Sequence, residues 1–474
     1  MRLPVTTFSM IGLILASMTA SADTIHLKNG RTILVDHVRE SGNRCEYDIG
    51  EDTYAIPKSS VERIEAGGAP VITSSSANRN SGNLFVFTPV DRLGNEGDLP
   101  KIIIKEGKVD ADAVSKLEGK GNADMSAAAD FIAGKFEFEH GNIDQARHYF
   151  DTALRFQQDN ATVLTYYAAL LVRTGNASQA LTYALRATRA APDSADAYGV
   201  LGYAQQASDR TKDAIASWKH SLELRPDAAV EKYLAKAERE QNAETDFTQR
   251  ESGHFVLHYE GKQSSEAFRS QVLAALESDY EDLSRDLGEP PRDNILVTLY
   301  TEQAFFDVTR APSWTGAVND GKLRIPVSGL NSMTPELARV LKHELSHSFI
   351  NHMSAGRCPF WLNEGIAQLF EPKSLNGDGR QLAQLFKAQQ NIPLNALEAS
   401  FFRFSGTQAY VAYAESLAAV SYINDTYGMG DLQRILQSLS QGSSAEAALR
   451  ATIHSDYGQL ESEVGKYLAD KYGN

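Results

Sequence analysis

Cysteine occurs only twice in the chain, at Cys45 and Cys358. One disulfide is the most that count allows, and it would join remote segments in different expected domains, so two unpaired or buried thiols are the simpler expectation. Positive charge is also short, with 46 Lys and Arg against 61 Asp and Glu for a net charge of -15. That balance opposes wrapping a phosphate backbone, which needs basic side chains clustered on one face, and nucleic acid is not an expected partner. Beyond the N-terminus no stretch approaches the roughly 20 consecutive apolar residues that span a bilayer, so no transmembrane helix is expected in the mature chain.

The N-terminus itself reads as an export signal. Arg2 precedes an apolar stretch centred on Ile11 to Ala16, and Ala20-Ser21-Ala22 supplies the small-x-small pattern that a signal peptidase accepts. Cleavage before Asp23 is expected, with residues 1–22 removed. The apolar run is too short for a retained anchor, and no cysteine follows it to carry a lipid. The mature protein is expected to be exported, periplasmic or secreted, in a bacterial cell.

At 474 residues the chain exceeds one ordinary core, and about 100 to 200 residues per domain predicts three units. Residues 23–66 alternate apolar and polar positions, with Ile25 and Leu27, Ile33 and Val35, then Cys45, Tyr47 and Ile49, and Asn29-Gly30 suits a tight hairpin. A small β meander, barrel-like in outline, is expected. Residues 67–126 are rich in Gly, Ser and Asn and read as a linker with short ordered pieces.

A step of 34 residues then organises the chain: Gly141, Gly175 and Asp209; Ala146, Ala180 and Ala214; Ala153, Ala187 and Ser221; Gln158, Pro192 and Pro226. Period and residue types resemble the tetratricopeptide repeat, with a bulky residue at Phe150 and Trp218 but Ala184 in the middle copy. The resemblance implies three helical hairpins over 127–228 with 229–241 as a capping helix, an array that presents a concave surface to a peptide or protein partner. Tyr166, Tyr167, Tyr198 and Tyr203 are candidates to line that surface or to fill its core.

From 246 to 474 strands give way to helices. His254 to Tyr259 and Asn294 to Tyr300 flank a helix from Ser265 to Leu287, and Leu323 to Val327 alternates as a further strand, which with Gly316 to Asn319 is expected at a sheet edge open to an extended peptide. An α+β domain follows. Its chemistry rests on His343-Glu344-Leu345-Ser346-His347, inside a helical run that begins at Thr334-Pro335-Glu336 and carries an apolar stripe of Leu337, Val340, Leu341, Leu345 and Phe349. Residues four apart stack one turn above another, so both imidazoles can hold one metal ion while Glu344 faces its open side.

A catalytic zinc needs a third protein ligand. Gly at 350 and His at 353 would mark a metzincin, but Ile350 and Met353 stand there, and His352 lies off the metal-facing side. Downstream, Trp361-Leu-Asn-Glu364-Gly-Ile-Ala367 resembles the WLNEG-x-A segment of the M1 aminopeptidases, members of the gluzincin group, although the spacer is slightly shorter here. The resemblance implies a zincin-like metallopeptidase domain with zinc on His343, His347 and Glu364 and with Glu344 as general base. Tyr413-Ala-Glu-Ser416 resembles the Tyr-x-x-Gly helix of the same enzymes, which makes Tyr413 the candidate transition-state tyrosine and Tyr410 the reserve. Asn363 and Gln368 are candidates to orient the imidazoles, and His254 and His258 are expected to be bland. Gly316 to Asn319 lacks a glutamate for a free amine, which favours an endopeptidase over an aminopeptidase. The alternative is a repeat-based envelope scaffold whose zincin fold is catalytically idle.

Overall fold

The computed structural model describes residues 23–28, 32–35, 37–42, 44–49, 52–65, 89–90, 97–262, 264–311, 315–327, 330–371, 373–401 and 404–473. The expected signal peptide, the Asn29-Gly30 turn and residues 67–88 and 91–96 of the linker lie outside them. Two compact units divide the chain, one of Met1–Thr73 with Phe404–Gln408, the other of Ser74–Arg403 with Ala409–Asn474.

The first unit holds β1 (Asp23–Leu27), β2 (Thr32–Val35), β3 (His37–Ser41), β4 (Arg44–Ile49), β5 (Asp52–Pro57) and β6 (Val61–Glu65). They form two antiparallel three-stranded sheets, ordered β2-β1-β6 and β3-β4-β5. Cys45 and Tyr47, two apart and so on one face of β4, are buried with Ile25 in a small core. Both cysteines of the chain are buried and unbonded.

In the second unit, part of the stretch read as linker is ordered: α1 (Leu99–Ile103), a hairpin of β7 (Ile104–Lys105) and β8 (Lys108–Val109), and α2 (Ala111–Glu118). Ile103, Val114 and Leu117 are buried in the same apolar core as the helices that follow. Segments this short carry too few periods to be read from hydrophobic spacing.

Three helical hairpins come next: α3 (Ala123–His140) with α4 (Ile143–Phe156), α5 (Ala161–Arg173) with α6 (Ala177–Ala190), and α7 (Ala195–Ala207) with α8 (Thr211–Leu224). A seventh helix, α9 (Ala228–Ala243), packs on α8. The 34-residue columns have direct physical meanings. Gly141, Gly175 and Asp209 sit at the turn inside each hairpin with φ of 83°, 73° and 60°, where Gly is free of Cβ strain and Asp is tolerated. Phe150 and Trp218 face glycines: a Cβ on Gly134 would lie 2.7 Å from Phe150, and one on Gly202 would lie 2.4 Å from Trp218. The middle repeat has Ala168 at the glycine step and Ala184 at the bulky one, both fully buried, so its small residue is matched by a larger partner. Tyr166, Tyr167 and Tyr203 are core residues rather than surface contacts.

The remaining chain begins with a five-stranded sheet. Its strands are β9 (Phe247–Glu251), β10 (Phe255–Glu260), β11 (Ile295–Tyr300), β12 (Val318–Asn319) and β13 (Leu323–Pro326), with α10 (Glu266–Leu287) between β10 and β11 and α11 (Glu302–Thr309) after β11. The order is β12-β13-β11-β10-β9, with β10, β11 and β13 parallel and the two edges antiparallel. Every residue of β11 is buried, as a central strand covered on both faces requires. Leu323–Pro326 was expected at the edge and is not there. Arg324 is buried along with Leu323 and Ile325, so β13 is covered on both faces and β12 forms the rim. Helices complete the unit: α12 (Pro335–Met353), α13 (Phe360–Phe370), α14 (Gly379–Lys387), α15 (Gly406–Tyr427), α16 (Met429–Ser440), α17 (Ala445–Ile453) and α18 (Tyr457–Tyr472). No described helix is long and apolar enough to cross a membrane.

Candidate metal centre

Helix α12 starts where its sequence dictates, with the Thr334 hydroxyl accepting the Leu337 N–H at 3.1 Å and Pro335 in the first turn. Its buried side packs on α10, where Tyr280 meets Phe349 edge-on at 5.2 Å and Lys342 pairs with Asp279 and Asp282 at 3.2 and 3.1 Å. The opposite constraint comes from the sheet rim, where Asn319 Nδ2 donates to the Glu344 carbonyl and to Ser348 Oγ, each at 2.7 Å. These contacts fix the height and rotation of the helix that carries His343, Glu344 and His347.

The three side chains converge, with one donor atom from each lying within 4.8 Å of the others. Glu364 enters from α13, its Oε2 3.4 Å from His343 Nε2 and 3.8 Å from His347 Nε2. Each imidazole is oriented by its other nitrogen. His343 Nδ1 lies 3.0 Å from Glu371 Oε2, and His347 Nδ1 lies 2.8 Å from Asn363 Oδ1. A carboxylate or amide oxygen only accepts, so Nδ1 donates in both rings and both Nε2 lone pairs are turned inward. Glu364 Oε2 is buried there with the two imidazole nitrogens as its polar neighbours.

This donor set fits a divalent metal. Ligands about 2.0–2.1 Å from a tetrahedral zinc stand roughly 3.3–3.5 Å from one another, close to the separations seen. Two lone pairs and a carboxylate oxygen facing one another repel unless a cation lies among them. Burial opposes charge on His343, yet Glu364 and Glu371 outweigh it and push the pKa up to about 10, so the position attracts positive charge, as a proton or as a metal ion. Burial raises Glu344 above the usual carboxylate range, against the pull of both histidines.

Tyr413 on α15 lies within electrostatic reach of Glu364 and Glu344. Burial raises its phenol well above the ordinary value, and the charges of Glu364 and Glu344 raise it further, which keeps the hydroxyl a donor. Its ring meets Phe401 edge-on at 5.3 Å. The reserve candidate is elsewhere: Tyr410 is 53% exposed and its hydroxyl is held by Asp378.

The close approach of α15 explains the glycine after Glu364. A Cβ on Gly365 would lie 2.4 Å from the Ser416 carbonyl oxygen, so only glycine lets the two helices meet. Gln368, expected beside the imidazoles, instead ties these helices together, donating to the Tyr413 carbonyl at 2.9 Å and to the Glu364 carbonyl at 3.2 Å. Asn363 does hold a ring. Sequence reading missed Glu371, the carboxylate on His343, although its spacing of seven from Glu364 places both on one helix face. It also missed the acids beside His254 and His258, Glu277 at 2.6 Å from the first and Asp209 at 2.7 Å from the second, because both come from distant elements. His352 lines a cavity between α12 and the repeats.

No curated protein matches the chain. Residues 280–470 match the model of the Peptidase MA superfamily, and residues 137–202 match that of the tetratricopeptide repeat.

Proposed function

We propose that the chain is an exported, zinc-dependent peptidase of gluzincin type, in which His343, His347 and Glu364 hold one zinc ion. The observation that carries this reading is the buried Glu364 Oε2, which faces two imidazole nitrogens 3.4 and 3.8 Å away. When bound, zinc supplies a Lewis acid that polarises a carbonyl oxygen and lowers the pKa of water to roughly 7.

The chain's own residues carry the proton and charge movements. Glu344 takes the proton of the attacking water and delivers it to the departing amine, and its raised pKa suits a group that must do both. Tyr413 donates a hydrogen bond to the oxyanion of the tetrahedral intermediate. The two-residue rim strand β12 offers unpaired backbone to an extended substrate, and Asn319 at its end ties that strand to the Glu344 carbonyl. With no carboxylate among Gly316 to Asn319 to hold a free amine, internal cleavage is favoured over removal of N-terminal residues. The repeats recruit the peptide or protein substrate, or a protein partner.

A chelator experiment tests the reading. Protein purified without chelators should hold about one zinc per chain, lose peptide cleavage on treatment with 1,10-phenanthroline and regain it with added zinc. Less than about half an equivalent of zinc, or cleavage that survives removal of the metal, would contradict it. Full zinc occupancy without cleavage of any peptide would favour the idle scaffold.

A further inference from the structure

One short stretch of the segment read as a linker lies against the repeats. Pro89 is buried there, while the Val90 side chain beside it stays 61% exposed. The Pro89 carbonyl and the Val90 N–H belong to one peptide group, and the repeats hold both of its ends. The Tyr166 hydroxyl of α5 donates to the Pro89 carbonyl, and the Val90 N–H donates to Asp196 Oδ2 of α7 at 2.8 Å.

Both holding side chains are built into the repeats. Tyr166 is 1% exposed, its ring edge-on to Phe131 at 5.2 Å and to Phe138 at 6.4 Å, so its hydroxyl reaches the segment from a fixed place in the core. Asp196 is fully buried, and its other oxygen, Oδ1, accepts from Arg225. Arg225 balances the carboxylate's charge, so the site asks its occupant for a neutral N–H rather than a cation. Helices α5 and α7 are the first helices of adjacent hairpins and pack side by side, which puts both groups on one face of the stack. Proline suits the seat, because it brings no N–H that burial would leave unsatisfied and its fixed φ matches an extended backbone.

We propose that this face of α5 and α7 is a docking site for an extended peptide read at a Pro-X step, and that the chain's own Pro89 and Val90 occupy it in cis. The proposal rests on the recruiting role given to the repeats above and adds what they recognise and what controls access to them. The proline is read by burial and the next residue by its backbone, since the Val90 side chain is largely exposed. Withdrawing the segment breaks both hydrogen bonds at side chains buried from water, so the emptied face favours another peptide group in the same place. The tethered segment competes at an effective concentration of about 1 mM, which weakens a peptide of about 100 μM affinity roughly tenfold. A partner therefore binds well once the segment is loosened.

Binding of a fluorescein-labelled peptide with the sequence of residues 86–95 is followed by anisotropy on the full chain, with thermal melts to confirm folding. Every chain carries Glu344→Gln so that the probe is not cleaved. Val90→Pro removes the N–H given to Asp196 and loosens the segment. Pro89→Asp, which sets a second carboxylate near Asp196, loosens it by a different route and serves if the first variant fails to fold. Either loosened chain should bind the probe about tenfold or more tighter than the parent. Adding Tyr166→Phe to the chain, or Val90→Pro to the probe, should weaken binding to the loosened chain by about fivefold or more. Equal affinity of parent and loosened chains, no saturable binding by a loosened chain at millimolar peptide, or equal binding of the two probes overturns the proposal. Zinc and cleavage enter none of these readings, so the peptidase assignment and the docking site stand or fall separately.

Discussion

His343 and His347 are held by different partners, a carboxylate and an amide, and the difference has measurable consequences. A charged acceptor raises ligand basicity more than a neutral one, so Glu371→Gln should weaken zinc binding by about 10- to 100-fold, read by competition with a chromogenic chelator. Unchanged affinity would mean that Glu371 is a passive neighbour. The convergence of His343, Glu344 and His347 was legible in the sequence because a helix places side chains at fixed spacings, whereas Glu364, on the next helix, was named only through the resemblance of its segment to the gluzincins. Glu371 was not, because its role depends on a contact between α12 and α13, and a lone acid at a helix end otherwise resembles a solvated one. Gln368 misled for the same reason: the face it shares with Glu364 points partly to α15, which the local pattern does not reveal.

At the scale of elements, long helices with clear caps were readable. Ser265 opens α10 and Thr334 opens α12 by accepting the N–H three residues on, as the sequence pattern predicts. Short strands were harder. β9 reads Phe-Thr-Gln-Arg-Glu and β12 is two residues long, so neither offers enough alternation, and both depend on pairing to a neighbour. Helix contacts give the element-scale prediction. Gly365→Ala adds a methyl against the Ser416 carbonyl and should push α15 from α13, costing about 1–3 kcal/mol in denaturant melts. It should also lower kcat by displacing Tyr413 while every proposed zinc ligand stays in place. Unchanged stability and kcat would show that the helices accommodate the methyl.

Across the whole second unit, the repeats and the sheet are joined by a buried ionic cluster that no local motif announces. Glu240 on α9 lies 2.5 Å from Lys322 and 2.9 Å from Arg324, and Asp209, in the third repeat's turn, meets Lys322 and His258. These partners are dozens of residues apart, so the sequence pattern led to an expectation of two domains without the joint between them, whereas both lie in one compact unit. Removing the Glu240 charge leaves buried cations uncompensated, and Glu240→Gln should cost about 3–5 kcal/mol in chemical denaturation at neutral pH. Burial would raise Glu240, but Arg324 and Lys322 outweigh it and hold the carboxyl far below the ordinary glutamate range. A carboxylate more acidic folded than unfolded stabilises above its unfolded pKa of about 4.3, and the contribution drains away as pH falls below that value. The stability gap between wild type and Glu240→Gln should therefore narrow between about pH 4.5 and 2. A gap that stays constant on acidification would assign the loss to packing instead. The central claim, a zinc held by His343, His347 and Glu364 with Glu344 as base, is tested most directly by zinc content and peptide cleavage measured side by side on wild type and Glu344→Gln. The account predicts equal zinc in both, with cleavage by wild type and a loss of at least about a hundredfold in the variant; equal cleavage by the two proteins would contradict it.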